Sequence, residues 1–167
     1  MGKTVNTSKP YTKVTWRGVT LDNRTKSALV WAEKRYLAKA PKKRKPFRFA
    51  QGSYSNGSLS GSTHMGGGAV DIMFAEVNKK QRRAILKWMR RAGFAAWRRE
   101  GAVWGTNNDH LHSILLGHKT ASSAAKDQMV SYQNHRDGLA GNRYDSSPRP
   151  KRKRRWSHRQ NKPILGK

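Results

Sequence analysis

The run Ser62-Thr63-His64-Met65-Gly66-Gly67-Gly68-Ala69-Val70-Asp71 sets one imidazole and one carboxylate on either side of three glycines. Further on, Asp109-His110-Leu111-His112 adds two imidazoles with a carboxylate beside them. Two neutral nitrogens and one carboxylate oxygen form a ligand set that suits zinc and leaves a fourth position for water. Zinc so held lowers the pKa of its water to about 7, which makes a hydroxide nucleophile available at neutral pH. The glycines let the backbone turn sharply enough for His64 and Asp71 to converge. Asp71 lies in an apolar strand, where an unpaired carboxylate costs several kcal/mol, so it needs a partner. A metal ion is one candidate; the plainer alternative is a turn-capping Asp71 and a His64 facing water. His110 and His112 alternate along a strand and project from one face. One can then bind metal while the other carries protons nearby, and the plainer alternative is two surface histidines at a strand edge. His118, His135 and His158 lack ligand-spaced neighbours and read as surface residues.

These residues need a scaffold, and the spacing of apolar residues predicts one. Residues 1–20 read as an extended lead-in. Asp22 is a plausible N-cap for a helix over 23–40, with Ala28, Trp31, Ala32 and Tyr36 on one face. Pro41 ends it. Phe47 to Ala50 alternates as a short strand, and Gln51 to Ser62, rich in Gly, Ser and Asn, is a loop. Ala69 to Phe74 reads as a buried strand. Asn78 caps a helix to about Ala92, with Ile85, Trp88, Met89 and Ala92 inward, Arg82, Arg83 and Arg90 outward, and Gly93 closing it. Phe94 to Trp97 and Leu111 to Leu116 are two more strands, separated by a turn at 105–108. A last helix spans about 122–136, and from Pro148 the chain is a basic tail. The expected architecture is α+β, a small antiparallel sheet flanked by helices. It divides into a lead-in over 1–20, a domain over 21–140 and a tail over 141–167.

Composition restricts the partners. The chain has 167 residues, enough for one domain, and carries 36 Lys plus Arg against 9 Asp plus Glu, a formal charge of +27. Such a surface seeks polyanions, whether nucleic acid, anionic lipid or a phosphate-rich wall polymer. Trp156 within the tail is a candidate to stack on a base or lie against lipid. Cysteine is absent, so disulfides and thiolate metal sites are excluded, and any metal must be held by His, Asp and Glu. No stretch approaches the roughly 20 apolar residues that span a bilayer. The start of the chain lacks the apolar core of a signal peptide.

Ser62-x-His64-x-x-Gly67-x-Ala69-x-Asp71 resembles the first zinc motif of the D-Ala-D-Ala carboxypeptidase group of metallopeptidases. That group includes vancomycin-resistance dipeptidases, phage endolysin endopeptidases and the zinc domain of hedgehog proteins. Its second motif is an acid three residues before a ligand histidine, or a His-x-His pair, and Asp109-His110-Leu111-His112 offers both. The resemblance covers roughly 47–117. The stretch from His135 to Asn142 is also similar to a C-terminal signature of actinobacterial and actinophage members.

The resemblance implies a hedgehog or DD-peptidase-like fold, with His64, Asp71 and His112 as zinc ligands and Ser62 supporting the loop. Asp109 stands where the family usually has a glutamate general base. His110 would stabilise the oxyanion or act as the proton shuttle, and Glu100 is a more distant substitute base. Strict strand alternation would aim Asp109 away from His112, unless a bulge follows Asn107-Asn108. Arg48 matches the region where some relatives hold the substrate carboxylate, and Gln51 and Tyr54 are candidates to line the groove. The implied function is a zinc-dependent peptidase cutting peptide bonds of bacterial peptidoglycan. Its implied setting is a phage lysin or a virion-associated wall hydrolase, held in the host cytoplasm before release or carried in the particle. The basic surface would hold it on anionic wall polymers or nucleic acid, or against other virion proteins. The competing expectations are a non-catalytic basic virion protein that keeps the fold, and a nucleic-acid binder whose histidines are incidental.

Overall fold

A computed structural model describes residues 6–40, 42–55, 62–105 and 107–166. Pro41, Thr106, residues 1–5 and residues 56–61 of the expected loop lie outside the described residues. The first hairpin pairs β1 (Lys13–Trp16) with β2 (Val19–Asp22) through Arg17 and Gly18, both at positive φ. Such two-residue turns match the twist of the strands they join. Asp22 then accepts the Thr25 N–H at 2.8 Å and caps α1 (Asn23–Ala38). Helix α2 (Lys79–Ala92) opens on a capping box between Asn78 and Gln81 and ends at Gly93 in the left-handed region.

The central sheet is antiparallel, in the order β3 (Phe49–Gln51), β4 (Ala69–Met73), β6 (His110–Leu115), β5 (Phe94–Arg99). Alternation sorts its side chains into two faces. Val70, Ile72, Leu111, Leu115, Phe94 and Ala96 pack with α1 and α2 in the main core. Ala69, Ala95, Trp97 and Ile114 point the other way, against Ala125, Met129 and Tyr132 of α3 (Ser123–Gln133). The apolar contacts of α3 take one end of that second face. The other end carries Asp71, His110 and His112. The α+β class with a small antiparallel sheet is as expected.

The termini differ from their expected roles as lead-in and tail. Lys13 to Asp22 is a hairpin, and Leu21 is fully buried in the main core. A second hairpin pairs β7 (Arg154–Ser157) with β8 (Lys162–Leu165). Trp156, expected to meet a base or lipid, is 1% exposed in the same core, 6.3 Å from the Trp31 ring. Counting charges hid this, because alternation in Arg154-Arg155-Trp156 turns one apolar ring inward. His158, expected at the surface, is buried and donates through Nε2 to the Ser8 carbonyl at 2.9 Å, joining the two ends of the chain. Among the described residues no helix is long and apolar enough to cross a membrane.

Candidate metal centre

Three side chains from separate elements converge on the open end of the second face. His64 sits in a short 3-10 turn, Thr63–Met65, and Asp71 and His112 are cross-strand partners at the centre of β4 and β6. One ligand atom from each lies within 4.8 Å of the others, and all three residues are buried. The orientation of each imidazole is set on its far side. His64 Nδ1 is 2.7 Å from the Gly52 carbonyl, which can only accept, so the proton resides on Nδ1. His64 Nε2 is then a lone pair, buried, without a hydrogen-bond partner and 3.3 Å from Asp71 Oδ2. His112 donates from Nε2 to Gln128 Oε1 at 2.8 Å, which turns its Nδ1 toward Asp71 Oδ1 at 2.7 Å.

Two nitrogen lone pairs and a carboxylate therefore share one buried space, which only protons or a cation can relieve. Burial pushes the Asp71 carboxyl up, but His112 and His64 more than reverse this and hold it far below the ordinary range. Burial pushes His64 down, and the bond and charge of Asp71 more than reverse that. The orphaned Nε2 and the N,O,N donor set fit a divalent metal ion, with outer partners fixing both rings as metal sites require.

The loop that carries His64 rests on a second buried pair. A Cβ on Gly67 would fall 2.5 Å from His118 Cε1, and one on Gly68 2.9 Å from His118 Cγ. Only glycine allows that approach, and Gly68 also needs its positive φ. His118, expected at the surface, is fully buried with Nε2 2.9 Å from Asp22 Oδ2. The Tyr54 hydroxyl donates to the same oxygen at 3.1 Å and also bonds Thr120. Burial raises Asp22, but His118 and Thr25 outweigh it and keep the carboxyl below its usual value. Ser122, the N-cap of α3, donates its hydroxyl to the Thr63 carbonyl at 3.1 Å and ties the turn down.

His64, Asp71 and His112, the expected ligands, are thus brought together. His110 stands beside them, Nε2 4.0 Å from Asp71 Oδ2, while Nδ1–H donates to the Asn108 carbonyl at 2.7 Å. Asp109, expected as the general base, is not with them. It accepts from Arg82 at 2.6 Å and from the Gly101 N–H at 2.9 Å, on the α2 side of the sheet. No bulge intervenes, since β4 and β6 pair without a break from Ala69↔Ile114 to Met73↔His110, so alternation turns Asp109 away. Glu100, the substitute base, joins the same Arg82 at 3.1 Å and Arg98 at 3.4 Å.

Ser62 is exposed in the left-handed region and its side chain makes no capping bond, while Ser122 ties the turn down. Arg48 is exposed, accepts the Met73 N–H through its carbonyl, and places its charge near Glu76. Gln51 pairs with Asp71 across a bulge in β3 and donates to Ser55 at 3.2 Å. Tyr54 braces Asp22 and Thr120 rather than lining a groove.

Four further residues complete the site. Gln128 orients His112. Trp97, the cross-strand partner of His112, stacks on it at 6.1 Å and 17°, and Trp104 meets the His110 ring edge-on at 5.6 Å. Arg99, the cross-strand partner of His110, lies 5.4 Å from both indole rings and is 5% exposed. Burial pushes its pKa down to about 10, so it remains a cation at neutral pH. The 135–142 stretch braces this wall, since the Arg136 carbonyl accepts from Trp97 at 2.9 Å and the Asp137 carbonyl from Arg99 at 2.7 Å. Parity along β5 would have found Trp97 and Arg99 once its pairing with β6 was known; nothing in the sequence points to Gln128.

Comparison with protein-family models, curated proteins and solved structures finds no match to this chain.

Proposed function

We propose that the protein is a zinc-dependent peptidase that hydrolyses peptide bonds of bacterial peptidoglycan, as a phage lysin or a virion-associated wall hydrolase. The observation that carries the reading is the convergence of His64 Nε2, Asp71 Oδ and His112 Nδ1, each imidazole locked from behind by a carbonyl-type acceptor. When bound, zinc supplies Lewis-acid polarisation of the scissile carbonyl and an activated water. The chain's own residues supply the rest. His110 Nε2, which holds the lone pair in the tautomer whose Nδ1–H bonds Asn108, takes a proton and returns it to the leaving amine. Trp97 and Trp104 wall the site and exclude water. The Arg99 N–H groups not used by Asp137 offer a docking point for a substrate carboxylate. Asp109 takes no part in this scheme and serves the Arg82 network.

The test is incubation of metal-loaded protein with purified peptidoglycan, counting new free amino groups with and without a chelator. Release that the chelator abolishes is expected; no release from metal-loaded protein would overturn the reading. The second reading is a non-catalytic basic virion protein with a purely structural metal. It is favoured by Asp109, the sequence neighbour of His110, being neutralised by Arg82.

A further inference from the structure

Part of the positive charge is organised around one segment, residues 146–155, which Arg90 fastens to the sheet. The Arg90 side chain, expected to point outward, is 1% exposed. It donates to the carbonyls of Ala96, Ser147 and Pro148 at 2.7–3.0 Å and pairs with Asp145 at 2.6 Å. Arg149 pairs with the same carboxylate at 2.9 Å and donates to the Tyr132 carbonyl. Pro148 and Pro150 fix φ on either side of Arg149. The segment is therefore a strap with a set shape, and a cleft opens on each side of it.

The first cleft, about 720 Å³, runs between the strap and α2, with Arg83, Lys87, Arg91 and Arg98 opposite Lys151. The second, about 480 Å³, has the cationic run Lys151 to Arg155 on one wall and Leu116, Gly117 and Tyr132 on the other. The two share Arg149, Pro150 and Lys151, and no carboxylate lines either among the described residues. They share no residue with the His64, Asp71, His112 group.

We infer that these clefts bind a flexible phosphodiester polymer whose repeating unit is a polyol rather than a nucleoside. The lining cations are mostly arginines, whose planar fork matches phosphate in a bidentate way. Their array follows the strap, so successive phosphates of one strand meet successive cations. Among the described residues that line the clefts, few rings are open to a base. The first cleft has no aromatic ring among its lining residues. In the second, Tyr132 is buried with Arg90 and Arg149 over its ring, and the His135 ring is already stacked on Tyr144. Single-strand nucleic-acid sites combine a basic groove with runs of such stacking platforms, and here the lining offers only the exposed His135, one face of which Tyr144 covers.

The test is binding, read by titration calorimetry on the chelator-treated full chain, so that it does not depend on peptidase activity. The probes are soluble poly(glycerol phosphate) and single-stranded DNA with the same number of phosphates. Arg83→Gln/Lys87→Gln/Arg91→Gln/Lys151→Gln is compared with a control of equal charge change outside the clefts, Lys34→Gln/Lys39→Gln/Lys42→Gln/Lys43→Gln. Wild type should bind the polyol phosphate at least as tightly as DNA. The cleft variant should bind it at least about tenfold more weakly, with the salt slope reduced by roughly 0.7 per contact removed, and the control should stay within about twofold. Equal loss in the control, absence of binding, or a tenfold preference for DNA would overturn the inference, the last pointing to a nucleic-acid partner.

Discussion

Asp71 with His64 and His112, and Asp22 with His118, are both buried histidine–carboxylate groups, and the glycine run 66–68 joins one to the other. The difference lies behind the imidazoles. His118 Nδ1 has the Thr120 hydroxyl at 3.3 Å, a partner that can donate as well as accept, so Nε2 is free to carry the proton that Asp22 wants. Asp22 is further satisfied by Thr25 N–H and the Tyr54 hydroxyl. His64 has a backbone carbonyl behind it, which forces its proton outward and its lone pair inward, and His112 meets the Gln128 amide oxygen there. His118 Nε2 lacks a well-aligned hydrogen bond as His64 Nε2 does, but the first group can be completed by its own proton and holds up a loop, whereas the second is left short of positive charge. Far-side partners, more than the identity of the facing residues, decide which is which.

The comparison can be broken most sharply by truncating one histidine from each group. His64→Ala should abolish stoichiometric metal binding while the fold is retained. His118→Ala should keep metal binding and instead lose about 3–5 kcal/mol of stability, the usual effect of orphaning one partner of a buried pair. Metal titration and chemical denaturation of both variants check this; loss of metal in neither, or in both with folds intact, would undo the distinction.

The next largest effect separates His110 from Asp109. His110→Gln should lower turnover about 10²–10⁴-fold, the range for a proton-transfer group. Asp109→Asn should leave turnover nearly unchanged, because that carboxylate faces Arg82. Steady-state rates on a soluble peptide with metal content matched would show the reverse order if Asp109 were the base after all. A smaller effect is expected of Gln128→Leu, which keeps the ligands but frees the His112 ring. Metal affinity should fall about 10–100-fold, as for other outer-sphere partners. Affinity unchanged from wild type would mean that Gln128 does not orient the ring.

The subtlest effect is a change of slope with pH. Without metal, His64 titrates above its ordinary value, so its contribution to stability is complete below about pH 6.5 and lost as pH rises through the folded value. With metal bound, the ligands must be deprotonated, so the stabilisation grows with pH. Melting curves from pH 6 to 8 should therefore run in opposite directions for chelated and metal-loaded protein, and parallel curves would contradict the ligand assignment.

Much of the scaffold was legible because local signals and burial agreed. Asp22, Asn78 and Gly93 mark the ends of their helices, and β4 and β6 fall close to where the apolar runs put them. The convergence of His64, Asp71 and His112 was legible from a local spacing and a strand pair. What stayed hidden depends on long-range contacts. His118 is buried because Gly67 and Gly68, about 50 residues upstream, leave room for it. Arg90 is buried because the Asp145 carboxylate and two strap carbonyls reach it. Trp156 was read by the charge around it rather than by its parity in a strand. At Asp109 motif position and strand alternation disagree, and the side chain follows alternation.

The most direct test of the central claim is elemental analysis of metal in purified wild-type protein and in His64→Ala after incubation with zinc and removal of the excess. About one zinc per chain in the wild type and none in the variant is the predicted result. A wild-type protein that retains no metal would contradict the convergence of His64, Asp71 and His112 on an ion.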